Sequence, residues 1–163
     1  SRAIWCLCDQ PVPIRRISGT GMRPIHRIVI HHTASGNDWD AARIDKEHRA
    51  RGWSGIGYHY VILQDGTVQA GRAIEKAGAH AKGANGDSIG VVLVGSFEAP
   101  NPEPAPMQWL SALDFVLALC KRHGIGLDQV YGHNEVGTTA TLCPGFSPRA
   151  FRDALERHAG QYA

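Results

Sequence analysis

No stretch of this 163-residue chain approaches the roughly 18–20 consecutive apolar residues that a membrane span needs. There is also no large charge excess: 17 Lys and Arg stand against 15 Asp and Glu, a formal balance of +2. That is too little for the basic footprint of a nucleic-acid-binding surface, so no nucleic-acid partner is expected. Internal repeats, linkers and low-complexity segments are missing, and 43% hydrophobic with 20% charged residues excludes wholesale disorder. Ser1 to Cys8 has no apolar core of a secretory signal, so the chain is expected either not to be exported by that route or to have lost a leader before residue 1. Cysteine is sparse: positions 6, 8, 120 and 143 are too few and too unevenly placed for a disulfide framework. Cys6 and Cys8 are too close to pair easily with each other and read as packing residues or a free thiol pair. Cys120, inside an apolar helical run, reads as a buried and inert thiol.

Nine His and 19 Gly are plentiful by contrast, and they point to a site, with a metal site among the options. The length fits one domain. Residues 1–25, broken by Pro11, Pro13, Gly19, Gly21 and Pro24, read as an irregular arm, and 26–163 as the functional domain. His26 to His31 is a β-branched run and a predicted strand. Asp38 or Asp40 caps a predicted helix to about Arg51, which Gly52 ends. Gly57 to Leu63 and Val68 to Arg72 read as strands joined by the turn Gln64-Asp65-Gly66-Thr67. Ile89 to Val94 is almost wholly apolar, as a strand covered on both faces should be. Met107, Leu110, Leu113, Val116, Leu117 and Cys120 form the stripe of the clearest helix, stopped by Gly124. Ser147-Pro148 opens a final helix. The fold class is therefore α/β: one domain with a central mixed sheet flanked by helices.

Potential metal ligands sit at the ends of these elements. His31-His32-Thr33 runs out of a strand into a loop, while His133 and Cys143 bracket a Gly/Thr-rich segment. Zinc accepts imidazole nitrogen and thiolate sulfur, and a catalytic site keeps a fourth position open. His31, His133 and Cys143 make such a set, although nine histidines offer many other triples on spacing alone.

The wording of the segments narrows the choice. In order come Val29-Ile30-His31-His32-Thr33-Ala34, then Gly52 to Arg72 with Gly57-Tyr58-His59-Tyr60, then Gly78-Ala79-His80-Ala81-Lys82-Gly83 leading to Ser88-Ile89-Gly90. Gly132-His133-Asn134-Glu135 and Cys143-Pro144-Gly145 complete the series. This closely resembles the zinc N-acetylmuramoyl-L-alanine amidases of the type-2 amidase and peptidoglycan-recognition-protein family, the phage lysozyme-amidases above all. The likeness runs from about Ile28 to Phe146.

The resemblance implies one Zn²⁺ in a surface groove, held by His31 rather than His32, with His133 and Cys143. It makes Tyr58 the tyrosine beside the reacting water and puts Thr141 where phage relatives tend to carry Lys and catalytic animal members Thr. That departure argues against a cationic oxyanion stabiliser. Val91 to Val94 carries no Glu, so no carboxylate base is expected from that strand. His80 is expected to face the cleft and steady the tetrahedral intermediate or the leaving amine. His59, alternating with Tyr58, should point into the structure. His26, His48, His123 and His158 read as surface or packing residues. His32, Trp53, Lys82 and Asn85 border the implied groove as substrate contacts.

The implied activity is hydrolysis of the amide between N-acetylmuramate and L-alanine in peptidoglycan or muropeptides, as a bacteriolytic endolysin. The alternative is a peptidoglycan-binding module without catalysis, but members that only bind typically lack the third ligand, and Cys143 is present. The His-Glu-x-x-His helix of many other zinc peptidases is absent. A monomer is expected, made in the host cytoplasm and released to the periplasm and cell wall.

Overall fold

The computed structural model describes residues 22–161. Cys6, Cys8 and most of the expected 1–25 arm lie outside the described residues. Met22 and Ile25, at the arm's end, already pack against the main core.

Five strands form one sheet in the order β3-β2-β4-β1-β5, where β1 is Arg27–His32, β2 Tyr60–Ile62, β3 Val68–Ala70, β4 Ser88–Leu93 and β5 Val130–Gly132. Strands β2, β4, β1 and β5 run parallel and only β3 is antiparallel, so the sheet is mixed as expected. β4 is buried at all six positions because it is central and covered on both faces.

Three helices cover the sheet: α1 (Ala41–Ala50), α2 (Pro106–His123) and α3 (Pro148–Gln161). Their ends follow local chemistry. Asp40 Oδ1 accepts the Arg43 N–H at 2.8 Å and caps α1. Gly124 takes the left-handed φ of 65° that ends α2, its N–H bonded to the Cys120 carbonyl. Ser147 Oγ accepts the Ala150 N–H at 3.1 Å, ahead of Pro148 in the first turn of α3.

Alternation along the strands divides the interior. Ile28, Ile30, Tyr60, Ile62, Ile89, Val91 and Leu93 point to the face where α2 and α3 supply Phe115, Val116, Leu119, Phe151 and Leu155. Their neighbours along each strand face the other side. There Val61, Val92 and Val94 pack with Ile44 of α1 and Ile56, while Val29 packs with Ala81 and Ala84. His31 lies on this second face, between the two smaller clusters.

The hairpin strands are shorter than the sequence pattern implied. The Gly57 N–H bonds to His48 Nδ1 at 2.9 Å, and its carbonyl accepts the Ala79 N–H, so this stretch leaves the ladder to hold α1 and the following loop. Pairing resumes irregularly, with His59 N–H on the Gly90 carbonyl and Arg72 N–H on the Tyr58 carbonyl. β5 carries no strand signal in the sequence pattern. Three residues carry little pattern, and their conformation comes from pairing Val130, Tyr131 and Gly132 with Ile28, Val29 and Ile30.

Candidate metal centre

β1 delivers His31 to the second face, and β5, in register beside it, ends at Gly132 so that His133 follows on the same face. The two imidazole centroids are 4.6 Å apart. A single 3₁₀ turn, His133–Glu135, holds the second histidine. Glu135 anchors that turn: Oε1 accepts the Gly132 N–H at 2.9 Å, and both carboxylate oxygens take the Arg152 guanidinium of α3 at 2.6 and 2.9 Å. Glu135 was not singled out from the sequence, although a Glu three residues after Gly132 is the spacing of a turn-capping carboxylate.

Cys143 returns from the intervening loop to place Sγ 3.6 Å from His31 Nδ1. The His32 N–H donates to the same sulfur at 3.4 Å. Thr141 Oγ1 accepts the Cys143 N–H at 3.1 Å, which sets the turn presenting the thiol and leaves the hydroxyl proton free to donate elsewhere. Burial pushes the Cys143 thiol up to about 12, so a thiolate here needs a cation beside it.

His31, His133 and Cys143 thus bring two nitrogens and a sulfur within 4.8 Å of one another. Bonds of roughly 2.0–2.3 Å to a tetrahedral ion put ligand atoms about 3.5 Å apart, so one ion can bridge them with small adjustments. His133 Nε2 is buried and makes no hydrogen bond among the described residues, a costly state for a polar atom unless something else engages that ring. Burial and the neighbouring His80, His133 and His32 hold the His31 imidazole well below its usual range, in the neutral form a metal requires. The donor set fits zinc.

Tyr58 stands beside this set, its ring 5.0 Å from His31 and 5.6 Å from His48. Burial, with the nearby Cys143 sulfur, raises its phenol, so Tyr58 is a neutral O–H donor at ordinary pH. His59 is buried in the structure, as expected, although the irregular pairing here sets aside simple strand alternation: Nδ1 accepts the Gly90 N–H and Nε2–H donates to the Lys76 carbonyl.

The other expected site residues separate. His80 is partly exposed, but both ring nitrogens are engaged inward: Nδ1 lies 2.8 Å from His31 Nε2, and Nε2 is 3.3 Å from Ser88 Oγ. His32, next along β1, falls on the opposite face, 4% exposed, with Nδ1 accepting the Phe97 N–H and Nε2 3.4 Å from Glu98. Asn85 spends Oδ1 on the backbone N–H groups of His80 and Ala81, so it shapes a loop instead of reaching outward. Trp53 is exposed, 4.6 Å from His48, and Lys82 is exposed with its carbonyl tied to the Thr138 N–H. Cys120 is buried in α2, with burial pushing its thiol up to about 11. His48 and His158 are packed inside, the latter against Asp114.

The family model for N-acetylmuramoyl-L-alanine amidase matches residues 21–146. An endolysin of Klebsiella phage KP32 is 35% identical over 138 residues, 80% of this chain and 87% of that one. A peptidoglycan-recognition protein of Drosophila melanogaster is 31% identical over 151 residues, 88% of this chain and 79% of its own. Among solved structures, the endolysine N-acetylmuramoyl-L-alanine amidase LysCS from Clostridium intestinale URNW superposes with a TM-score of 0.74 at 33% identity, covering 83% of this chain and 86% of its own.

Proposed function

The chain belongs to the N-acetylmuramoyl-L-alanine amidase family, and from that premise we propose that His31, His133 and Cys143 hold a single zinc ion at its catalytic centre. The protein is an amidase of the endolysin kind, hydrolysing the amide that joins the lactyl group of N-acetylmuramate to L-alanine in peptidoglycan. One observation carries the metal reading: among the described residues, buried His133 Nε2 has no hydrogen-bond partner in a cluster of two nitrogens and a sulfur. When bound, zinc supplies Lewis acidity that polarises a carbonyl and acidifies water.

The protein's own residues do the rest. The neutral Tyr58 phenol donates a hydrogen bond to the amide oxygen as charge develops there, a contribution of about 3–4 kcal/mol for one well-placed donor. Thr141, already fixed by the Cys143 N–H, offers its hydroxyl proton as a weaker neutral donor. The exposed face of Trp53 stacks on a sugar or peptide plane, and the Lys82 ammonium meets a stem-peptide carboxylate. His32 Nδ1 and Asn85 Oδ1 already accept backbone N–H groups, so neither atom is open to substrate.

Among the described residues no helix is long and apolar enough to cross a membrane. We place the protein's action at the host cell wall, after release from the cell that makes it. Loss of turbidity of purified walls, with metal content measured and a chelator arm, tests the reading. Bound zinc without wall clearing, and without cleavage of soluble muropeptides, would instead indicate a binding module.

A further inference from the structure

Behind the metal donors runs a chain of hydrogen bonds that has only one consistent direction. The Ser88 hydroxyl lies 2.6 Å from the Ala84 carbonyl, which can only accept, so the Ser88 proton is committed there. Ser88 Oγ can then only accept from His80 Nε2, 3.3 Å away. With the imidazole proton on Nε2, facing Ser88 Oγ, the other ring nitrogen, Nδ1, is bare. That nitrogen accepts from His31 Nε2 at 2.8 Å, which puts the His31 proton on Nε2 and leaves Nδ1 a lone pair. The bare Nδ1 is the atom 3.6 Å from Cys143 Sγ.

The seat of His80 is closely fitted. A Cβ on Gly90 would stand 2.6 Å from His80 Cδ2, and one on Gly78 would stand 2.4 Å from the same atom, so the ring fills space that two glycines leave open. Asn85 Oδ1 binds the His80 and Ala81 N–H groups at 2.9 Å each, which fixes the loop bearing the ring. Ser88 and Gly90 alternate along β4 on the same face.

We infer that Ala84, Ser88 and His80 form a directional relay that fixes the tautomer of His31 and so presents its Nδ1 to the metal, making His80 a positioning residue. The inference rests on the metal reading of the His31–His133–Cys143 cluster. Outer partners of a metal-bound imidazole commonly alter metal affinity 10–100-fold, by holding the ring's orientation and proton.

The test uses two readouts. Nitrogen-15 NMR of the metal-free protein reports the His31 tautomer without any metal, and competition with a chromophoric chelator gives the zinc affinity. The expected result is His31 protonated at Nε2 in the native protein. Ser88→Ala, which leaves both rings in place, should give a mixed tautomer and roughly tenfold weaker zinc binding. His80→Ala should weaken zinc roughly 10–100-fold, and His80→Asn, whose amide oxygen can replace Nδ1 as acceptor, should recover most of the loss. His31 protonated at Nδ1 in the native protein, or unchanged tautomer and zinc affinity in Ser88→Ala, would overturn the relay. The expected tautomer in a native protein that binds no zinc would leave the relay standing and sink the metal reading instead.

Discussion

Cys143 Sγ lies 3.6 Å from His31 Nδ1 across 112 residues of sequence, and that closure is what turns a strand end and a loop into one donor set. In the proposed site, Cys143→Ser replaces a thiolate ligand with a neutral hydroxyl. It should lower bound zinc severalfold or more and reduce amidase turnover below detection. Cys120→Ser, deep in α2, should retain both zinc and turnover and lose only about 1–2 kcal/mol of stability. Metal analysis and muropeptide turnover of the two variants check this, and the reverse pattern would exchange the roles of the cysteines.

His31 and His32 are neighbours with opposite fates. His31→Ala should lose zinc. His32→Ala should keep it while unfolding more readily, by about 1–3 kcal/mol, because the Phe97 N–H loses its buried acceptor. Denaturation and metal content measured on both variants decide the matter, and equal zinc loss in the two would contradict the face assignment.

Tyr58→Phe removes one O–H and little else. If the phenol stabilises charge that forms only in the transition state, kcat should fall about 10²–10³-fold with KM and zinc content nearly unchanged. Thr141→Val should cost turnover less, and should also loosen the turn at Cys143, since the Cys143 N–H loses its acceptor. Steady-state kinetics on one soluble muropeptide separate the two. Near-native turnover in Tyr58→Phe would remove Tyr58 from the mechanism.

His59 makes stability depend on pH. Burial first, with Arg23 and Arg72 adding, lowers its pKa from 6.5 to about 4 despite the opposing Lys76 carbonyl. The unfolded chain therefore binds the proton more readily, and stability is complete above about pH 6.5 and declines as pH falls towards 4. A separation of about 2.5 units corresponds to about 3 kcal/mol at the acid end. His59→Gln should be less stable at about pH 7.5, where the Gly90 N–H loses its acceptor, but should show a shallower decline between about pH 6.5 and 4.5. Parallel slopes for native protein and variant, from chemical denaturation at each pH, would contradict the assignment.

The helices and the central strand β4 were legible from caps and hydrophobic period, because each depends on residues close in sequence, while motif wording named His31, His133 and Cys143, which the fold brings within 4.8 Å of one another. The position of His80 was not legible. Its loop reads as a groove edge, and only the missing side chains of Gly78 and Gly90, on either side of the ring, reveal that it turns inward. His32 shows the same limit from the other direction, since a motif names a pair of histidines while the strand's alternation sends one to each face. β5 and the Glu135–Arg152 pair escaped because both are made by contacts between distant segments.

Zinc-dependent amide hydrolysis is tested most directly by mass spectrometry of purified peptidoglycan digested by zinc-loaded protein, by chelator-stripped protein, and by stripped protein to which zinc is returned. The loaded and restored samples should release stem peptides with a free L-alanine amino terminus, together with glycan bearing unsubstituted muramate, and the stripped sample should not. The same products from the stripped protein, or cleavage at a sugar–sugar or peptide–peptide bond instead, would contradict zinc-dependent amide hydrolysis.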